Sequence, residues 1–271
     1  MRGDLGKMGV VHNDPVDYYL RLGDEEEHLN PWIGRRLRLQ FHHQITCLHC
    51  GRVTRKSYSQ GHCYPCFKKL AQCDLCVVSP ERCHYFEGTC REPDWGERFC
   101  MQPHVVYLAN SSGVKVGITR PEQVPTRWID QGAVQALPVV AVDTRQQSGF
   151  VEAAFRQHLP DTTQWQRMLK VDDPYIDMEA ERDRWLGELE ADLDALRGRF
   201  GTQAIRPMQD SAPQMIRYPV KQYPTKVVSL NLDKTPEIEG TLLGIKGQYL
   251  IFDIGVINLR KFTSYDVELS S

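Results

Sequence analysis

The residues of this sequence most evidently arranged for chemistry are its nine cysteines, all of which fall between Cys47 and Cys100 of a 271-residue chain. Cys47-Leu48-His49-Cys50 and Cys63-Tyr64-Pro65-Cys66 are two C-x-x-C knuckles separated by twelve residues. Paired knuckles present four thiolates tetrahedrally to one zinc ion. The spacing is slightly under the ~15 to 20 residues usual for such pairs, a shortfall that structural zinc ribbons tolerate. Four reduced, buried thiols would need apolar company, and the surrounding HCGRVTRKSYSQGHC is polar. His49, inside a knuckle, is expected at the surface. Cys73, Cys76, Cys83, Cys90 and Cys100 form a second set, with His84 and His104 nearby. A second structural zinc would take Cys73 and Cys76 first and complete its shell from the other three; five thiols for four positions leave that set open. A redox-active C-x-x-C stands alone at a helix start, so the doubled knuckle argues against thioredoxin-type catalysis.

The same stretch carries a local field. Residues 31–69 hold Arg35, Arg36, Arg38, Arg52, Arg55, Lys56, Lys68 and Lys69 and no acid. Tyr58, Tyr64 and Phe67 are interleaved, and such rings stack on bases while Lys and Arg hold phosphates. Arg52, Arg55, Lys56, Lys68 and Lys69 are therefore candidate nucleic-acid contacts, DNA or RNA. The alternative is a solvated face balanced by residues 172–194, which carry ten acids against two arginines. The whole chain has 33 cations and 35 anions, a net charge of -2, so only a local field can recruit a polyanion.

These residues must be placed by the elements around them. At 41% hydrophobic and 25% charged the chain is neither disordered nor collagenous. No run of ~18 apolar residues exists for a membrane span, and MRGDLGKMGV lacks the apolar stretch of a signal peptide. A cytoplasmic protein with reduced thiols and no membrane partner is expected. Tyr18 to Phe41 alternates apolar and polar residues around turns, which predicts two or three short strands within an N-terminal β element, residues 1–46. Residues 47–103 are the cysteine segment, with little periodicity and metal as its source of folding energy. In HVVYLANSSGVKVGIT two apolar runs flank Asn110-Ser111-Ser112-Gly113, which predicts a hairpin over 105–118. A short helix at Thr126 to Gln131, a strand at Leu137 to Val142 and a helix from about Ser148 to His158 complete a compact α/β unit, residues 104–170. Residues 171–205 hold an acidic helix, with Trp185, Leu186, Leu189, Leu193 and Leu196 on one face, and the start of a linker. In 206–271, KVVSLNL, GTLLGI, QYLIFD and VINLR have the spacing of a small antiparallel barrel, SH3-like or OB-like, whose natural partner is the N-terminal β element because neither piece has much apolar area of its own. The expected class is α+β.

Val105-Val106-Tyr107, Lys115-Val116-Gly117, Ile118-Thr119, Arg127 and Glu152 occur in the order that resembles the GIY-YIG nuclease domain. The resemblance covers about residues 104 to 160. It implies a hairpin tyrosine (Tyr107), a glycine that lets the substrate backbone approach (Gly117), a helical arginine (Arg127) and a later helix with one carboxylate for a divalent metal (Glu152). Lys115 stands where the second motif has a tyrosine, as in branches of the superfamily written K-I-G-I-T. The implied chemistry is phosphodiester hydrolysis. Tyr107 would orient or deprotonate water, Glu152 would bind magnesium or manganese, and Arg127 with Lys115 would contact phosphate. Asp130, Gln131, Asp161, Thr163 and Trp165 are candidates for the same cleft. Taken singly, a hairpin tyrosine is as readily a packing residue, and a glutamate near a helix N-terminus as readily complements the macrodipole. The whole sequence is also similar to an uncharacterised bacterial domain-of-unknown-function family, in which paired cysteines precede the motifs seen here at His104 to Arg120 and Arg127 to Ala133. The combined expectation is a zinc-stabilised nucleic-acid-binding protein, a metal-dependent endonuclease acting on DNA, RNA or tRNA-like substrates, or a binding descendant of one. The alternative is a non-catalytic, zinc-organised adaptor whose terminal β module recognises a protein.

Overall fold

A computed structural model describes residues 1–271. At its centre stands the hairpin β7 (His104–Asn110) and β8 (Val114–Thr119), numbered after six N-terminal strands: β1 (Arg2–Asp4), β2 (Gly9–Val11), β3 (Asp17–Leu22), β4 (Glu25–His28), β5 (Arg36–Thr46) and β6 (Val53–Thr54). β7 pairs on its other side with β9 (Gln135–Val142), which is followed outward by β10 (Ile205–Pro207), with β11 (Gln214–Met215) also on β9. Every residue of β7 is buried. An antiparallel strand with no polar alternation must be covered on both faces, and here it is.

One face of this sheet packs on α4 (Arg145–Phe155), α6 (Met178–Glu188) and α7 (Glu190–Phe200) through Val106, Leu108, Val116, Phe155, Trp185, Leu189 and Leu193. The predicted acidic helix is thus two helices with the same apolar stripe, meeting at Leu189. The helix before it begins earlier than expected. Thr144 and Gln147 form a reciprocal capping box, which starts α4 at Arg145 rather than near Ser148.

The opposite face, with Tyr107, Ala109 and Ala136, enters a larger core shared with the chain's two ends. There β12 (Glu237–Lys246), β13 (Tyr249–Phe252), β14 (Gly255–Asn258) and β15 (Tyr265–Ser270) join the N-terminal strands in one antiparallel sheet of order β1-β15-β5-β12-β13-β14, with β6 also on β5. β5 lies between β12 and β15, pairing Leu39 with Ile238 and Leu269, and turns Leu37, Leu39 and Phe41 inward. The expected pairing of the two terminal pieces is present, but the expected closed SH3-like or OB-like barrel is not. β1 and β14 do not meet; the KVVSLNL stretch, expected as a strand, instead covers the free edge of β14 through Leu230 N–H to the Val256 carbonyl and Val256 N–H to the Val228 carbonyl, 2.8 Å each. A covered edge needs no closure. A small sheet, β2-β3-β4, completes the large core. No helix is long and apolar enough to cross a membrane.

Candidate functional site

The first knuckles meet as their spacing predicts. The thiols of Cys47, Cys50, Cys63 and Cys66 all lie within 4.8 Å of one another, and Cys50 Sγ is 3.7 Å from Cys63 Sγ. A tetrahedron with metal–sulfur bonds of about 2.3 Å has sulfur edges of about 3.8 Å, so the donor set fits one four-coordinate ion. Gly51, at φ +67, makes the tight return of the first knuckle, and Cys63 N–H donates to Cys47 Sγ at 3.2 Å. Cys63 caps α1 (Tyr64–Lys69), whose first turn carries Cys66. His49 is exposed and stands outside the thiol group, as expected. All nine cysteines are free thiols.

The cysteine segment also forms one wall of a cleft of about 640 Å³. Ser59, Gln60, His62 and Gln72 lie on that wall; the rest of the lining includes Gly117 to Thr119 of β8 and the following Arg120, Arg127 and Gln131 around α3 (Thr126–Asp130), Arg145 and Glu152 of α4, and Asp161 and Arg260. α4 is clamped to the segment. Arg145 Nη2 donates to the Val77 carbonyl (2.6 Å), Gln146 Nε2 to that of Cys83 (2.8 Å), and Arg156 pairs with Glu81 (3.1 Å). At the crossing sits Gly149, where a Cβ would come 2.7 Å from the Pro80 carbonyl carbon.

Of the four residues implied by the nuclease resemblance, the fold brings Arg127 and Glu152 to the cleft surface and sets Tyr107 and Lys115 beneath its floor. Tyr107 is fully buried under Gly117, where a Cβ would stand 2.5 Å from the tyrosine hydroxyl. The glycine therefore makes room for Tyr107 while its backbone lines the cleft. The hydroxyl donates to Gln131 Oε1 at 2.9 Å, and the ring meets Trp128 edge-on at 5.8 Å. Burial raises the phenol above its ordinary pKa, with Arg127 partly opposing, which favours the neutral donor over a phenolate base.

Glu152 is 9% exposed and accepts no hydrogen bond or ion pair from the protein. Burial pushes its carboxyl up to about 7, with Arg156 partly opposing and Asp161 reinforcing. Lys115 is 2% exposed and unpaired, and burial followed by the nearby Arg127 brings its ammonium down to about 8. Neither group has a protein partner, and the polar atoms of both keep a little contact with solvent at the cleft. Arg120, Arg127, Arg145 and Arg260, with Lys115 below, outnumber Glu152 and Asp161. Sequence reasoning missed Arg145 and Arg260; the Thr144 to Gln147 capping box would have placed Arg145 at the helix start facing the segment, whereas nothing in the sequence marks Arg260, whose Nε donates to Gln60 Oε1 at 2.6 Å. Three other candidates lie elsewhere. Asp130 accepts from Lys7 and Gln248, Thr163 bonds Ser111, and Trp165, the first residue of the short α5 (Trp165–Met168), stacks on Tyr249 at 5.8 Å. Only Gln131 and Asp161 of that group line the cleft.

Arg52, Arg55, Lys56, Lys68 and Lys69 are exposed and form no ion pair. The acids of 172–194 do not balance this segment. Among its arginines and lysines, Arg36 pairs with Glu239 and Arg38 with Glu237 of β12, 2.7 Å each, and His42 lies 2.9 Å from Glu268 of β15. Tyr58 stacks on Phe67 and Tyr64 is tilted against both, with Tyr64 largely exposed and Lys56 Nζ 5.2 Å over the Tyr58 ring.

No curated protein and no solved structure matches this chain. A family model matches residues 34–267, a span that takes in the knuckles, the cleft and both halves of the terminal sheet, and by that match the chain belongs to DUF2797, described as a protein of unknown function.

Proposed function

We propose that this protein is a cytoplasmic, zinc-stabilised nucleic-acid-binding protein whose central unit is a GIY-YIG-like domain acting as a divalent-metal-dependent endonuclease. The observation that carries the reading is the carboxylate of Glu152, nine-tenths buried without a protein partner in a cleft that four arginines also line. A buried carboxylate with free lone pairs suits magnesium or manganese, a hard cation that takes oxygen ligands. Such an ion supplies charge neutralisation at phosphate and a more acidic bound water. Arg127 and Lys115 would stabilise the charge developing on phosphate. Tyr107, as a neutral donor bonded to Gln131, would fix that side chain and Arg127 and not take the proton. Zinc at Cys47, Cys50, Cys63 and Cys66 would hold the opposite wall in place. The unpaired cations Arg52, Arg55, Lys56, Lys68 and Lys69 extend from that wall and would track the backbone of DNA or RNA. An adaptor would need a terminal β module free to bind a protein, whereas β12 to β15 are built into the sheet of β5.

Labelled DNA, RNA and tRNA-like substrates incubated with magnesium or manganese should be cut by the native chain and not by Glu152→Gln, with zinc content unchanged. Arg127→Ala should lower the rate by 10²-fold or more, on the order of 3 kcal/mol for one lost transition-state donor. If no substrate is cut above the Glu152→Gln control, the nuclease reading is wrong. Binding is tested separately. Each phosphate neutralised contributes about -0.9 to the slope of log K against log salt on duplex DNA and about -0.7 on single strands. The triple variant Arg52→Ala, Arg55→Ala, Lys56→Ala should weaken binding to all sequences alike and flatten that slope; superimposable titrations would place the contact surface elsewhere.

A further inference from the structure

Sequence spacing makes Cys73 and Cys76 a third knuckle, yet the fold parts them. Cys73 packs against the first thiol cluster, with Cys47, Cys63, Cys66 and Leu70. Cys76 meets two residues that are not cysteines. Ligand atoms of Asp74, Cys76 and His84 all lie within 4.8 Å of one another, and His84 Nε2 is 3.5 Å from Asp74 Oδ2. Neither Cys83 nor Cys90 and Cys100, which stand on either side of the short helix α2 (Pro93–Phe99), come that close to all three. We propose that Asp74, Cys76 and His84 hold a second zinc ion, with water in the fourth position.

The hydrogen bonds around His84 fix which of its nitrogens is free. Thr89 has one hydroxyl proton and donates it to the His84 carbonyl at 3.3 Å, so toward the ring, 2.7 Å away, its oxygen accepts and Nδ1 carries the proton. In the neutral ring Nε2 is then a bare lone pair, and it faces the carboxylate of Asp74, another acceptor. Two acceptors and a thiol turned toward one another call for a cation between them. A ligating histidine ordinarily gives its other N–H to an oxygen, and a ligating carboxylate is itself hydrogen-bonded. Both supports are in place, since Asp74 Oδ1 accepts the Leu75 N–H and Oδ2 accepts Arg91 Nε, 2.6 Å each, which leaves lone pairs on the carboxylate. Arg91 is held from behind, because its Nη1 donates to the carbonyls of Phe67 and Leu70 at the end of α1, 3.2 Å each. One sulfur, one nitrogen and one oxygen donor suit zinc, whereas magnesium and calcium take oxygen alone. The side chains of Asp74 and His84 are 12% and 27% exposed, so water can reach the position that three protein ligands leave open.

The position gives this centre a task. Cys76 and His84 bound the loop that grips α4, and the carbonyls next to them, those of Val77 and Cys83, accept from Arg145 Nη2 at 2.6 Å and Gln146 Nε2 at 2.8 Å. An ion joining Cys76 to His84 closes that loop at its base and fixes the first turn of α4, the helix that carries Glu152 to the cleft. Only the use made of Glu152 rests on the nuclease reading.

Elemental analysis and zinc X-ray absorption on the full chain, purified without chelators, test the assignment. The expected result is two zinc ions per chain, with sulfur at about 2.3 Å and a contribution from nitrogen and oxygen at about 2.0 to 2.2 Å. His84→Ala and Asp74→Ala should each keep one ion and lose the nitrogen and oxygen contribution, while Cys73→Ala should keep both ions. One zinc in the native chain, two zincs in an all-sulfur shell, both ions retained by His84→Ala or Asp74→Ala, or loss of an ion from Cys73→Ala would each overturn it. Should the His84 and Asp74 variants not fold, the stoichiometry and shell of the native chain decide. A chain that holds two zincs in the mixed shell and cuts nothing refutes the nuclease reading and leaves this centre standing.

Discussion

Lys115 shows how much a single side chain can be asked to bear. The side chain is largely buried and makes no ion pair, with Asp161 and Glu152 offsetting only part of the effect, and folding therefore carries a desolvation cost that a solvated lysine would not. Below pH 8 the group is charged in both folded and unfolded chains and the cost is felt in full. Between pH 8 and 10.5 the folded chain has lost the proton that the unfolded chain still holds, so stability rises across that window. Lys115→Met should accordingly stabilise the protein at pH 7 by about 2 to 3 kcal/mol, since each pKa unit corresponds to about 1.4 kcal/mol, and the gain should vanish near pH 10.5. Urea unfolding of both chains at the two pH values, in EDTA, measures this; equal midpoints at pH 7 would mean that the charge is compensated. Glu152 behaves oppositely. Its carboxyl is raised from 4.5 to about 7, so stability falls as pH rises through that interval, and Glu152→Gln should be the more stable chain above pH 7 even as it loses cleavage. A protein that keeps two such costly groups at one cleft trades stability for what they do there.

At the scale of elements, the decisive contact is the crossing of α4 with the backbone at Pro80 and Glu81. In an ordinary helix interior Gly→Ala gains up to about 1 kcal/mol. Gly149→Ala should do the reverse, because its methyl would collide with main-chain atoms of the cysteine segment, which cannot rotate away as a side chain can. The expected outcome is a lowered thermal midpoint and a weakened cleft, with Arg145 and Gln146 pulled from their carbonyl partners. A Gly149→Ala chain as stable as the native one would show that the segment is docked less closely. Substitution at Gly117 acts on a different clash. The added methyl would lie 2.5 Å from the Tyr107 hydroxyl and 2.6 Å from the ring carbon bearing it, so Gly117→Ala should destabilise and Tyr107→Phe should fail to rescue it. The double variant recovering native stability in urea would count against that geometry.

Across the whole molecule, the two chain ends fold as one body. β5 is paired on one side by β12 and on the other by β15, and the large core draws residues from Leu5 to Leu269 with Tyr107 and Trp128 between them. A chain ending at residue 205 would leave both edges of β5 open and expose Leu37, Leu39 and Phe41, so it should be insoluble or unfolded by circular dichroism. The full chain should lose the terminal sheet and the Trp128 environment in one transition. Independent melting of the two would show that the shared core does not couple them.

Local chemistry was legible from the residues alone. Two C-x-x-C pairs close in sequence fix their own turns, so Cys47, Cys50, Cys63 and Cys66 could be assembled from spacing, and the hairpin was written in the apolar runs around Asn110 to Gly113. The stripe from Trp185 to Leu196 showed its buried face because helical periodicity is a local property. Tertiary structure decided the rest. Cys73 and Cys76, separated by two residues, face different neighbours because the chain turns between them at Asp74. The open terminal sheet depends on a stretch some 25 residues upstream of its edge strand, and Arg260 reaches the cleft from the connection between β14 and β15. Whether Tyr107 touches solvent or lies beneath Gly117 is set by how β7 is covered, a matter of packing between segments far apart in the chain that no local pattern records.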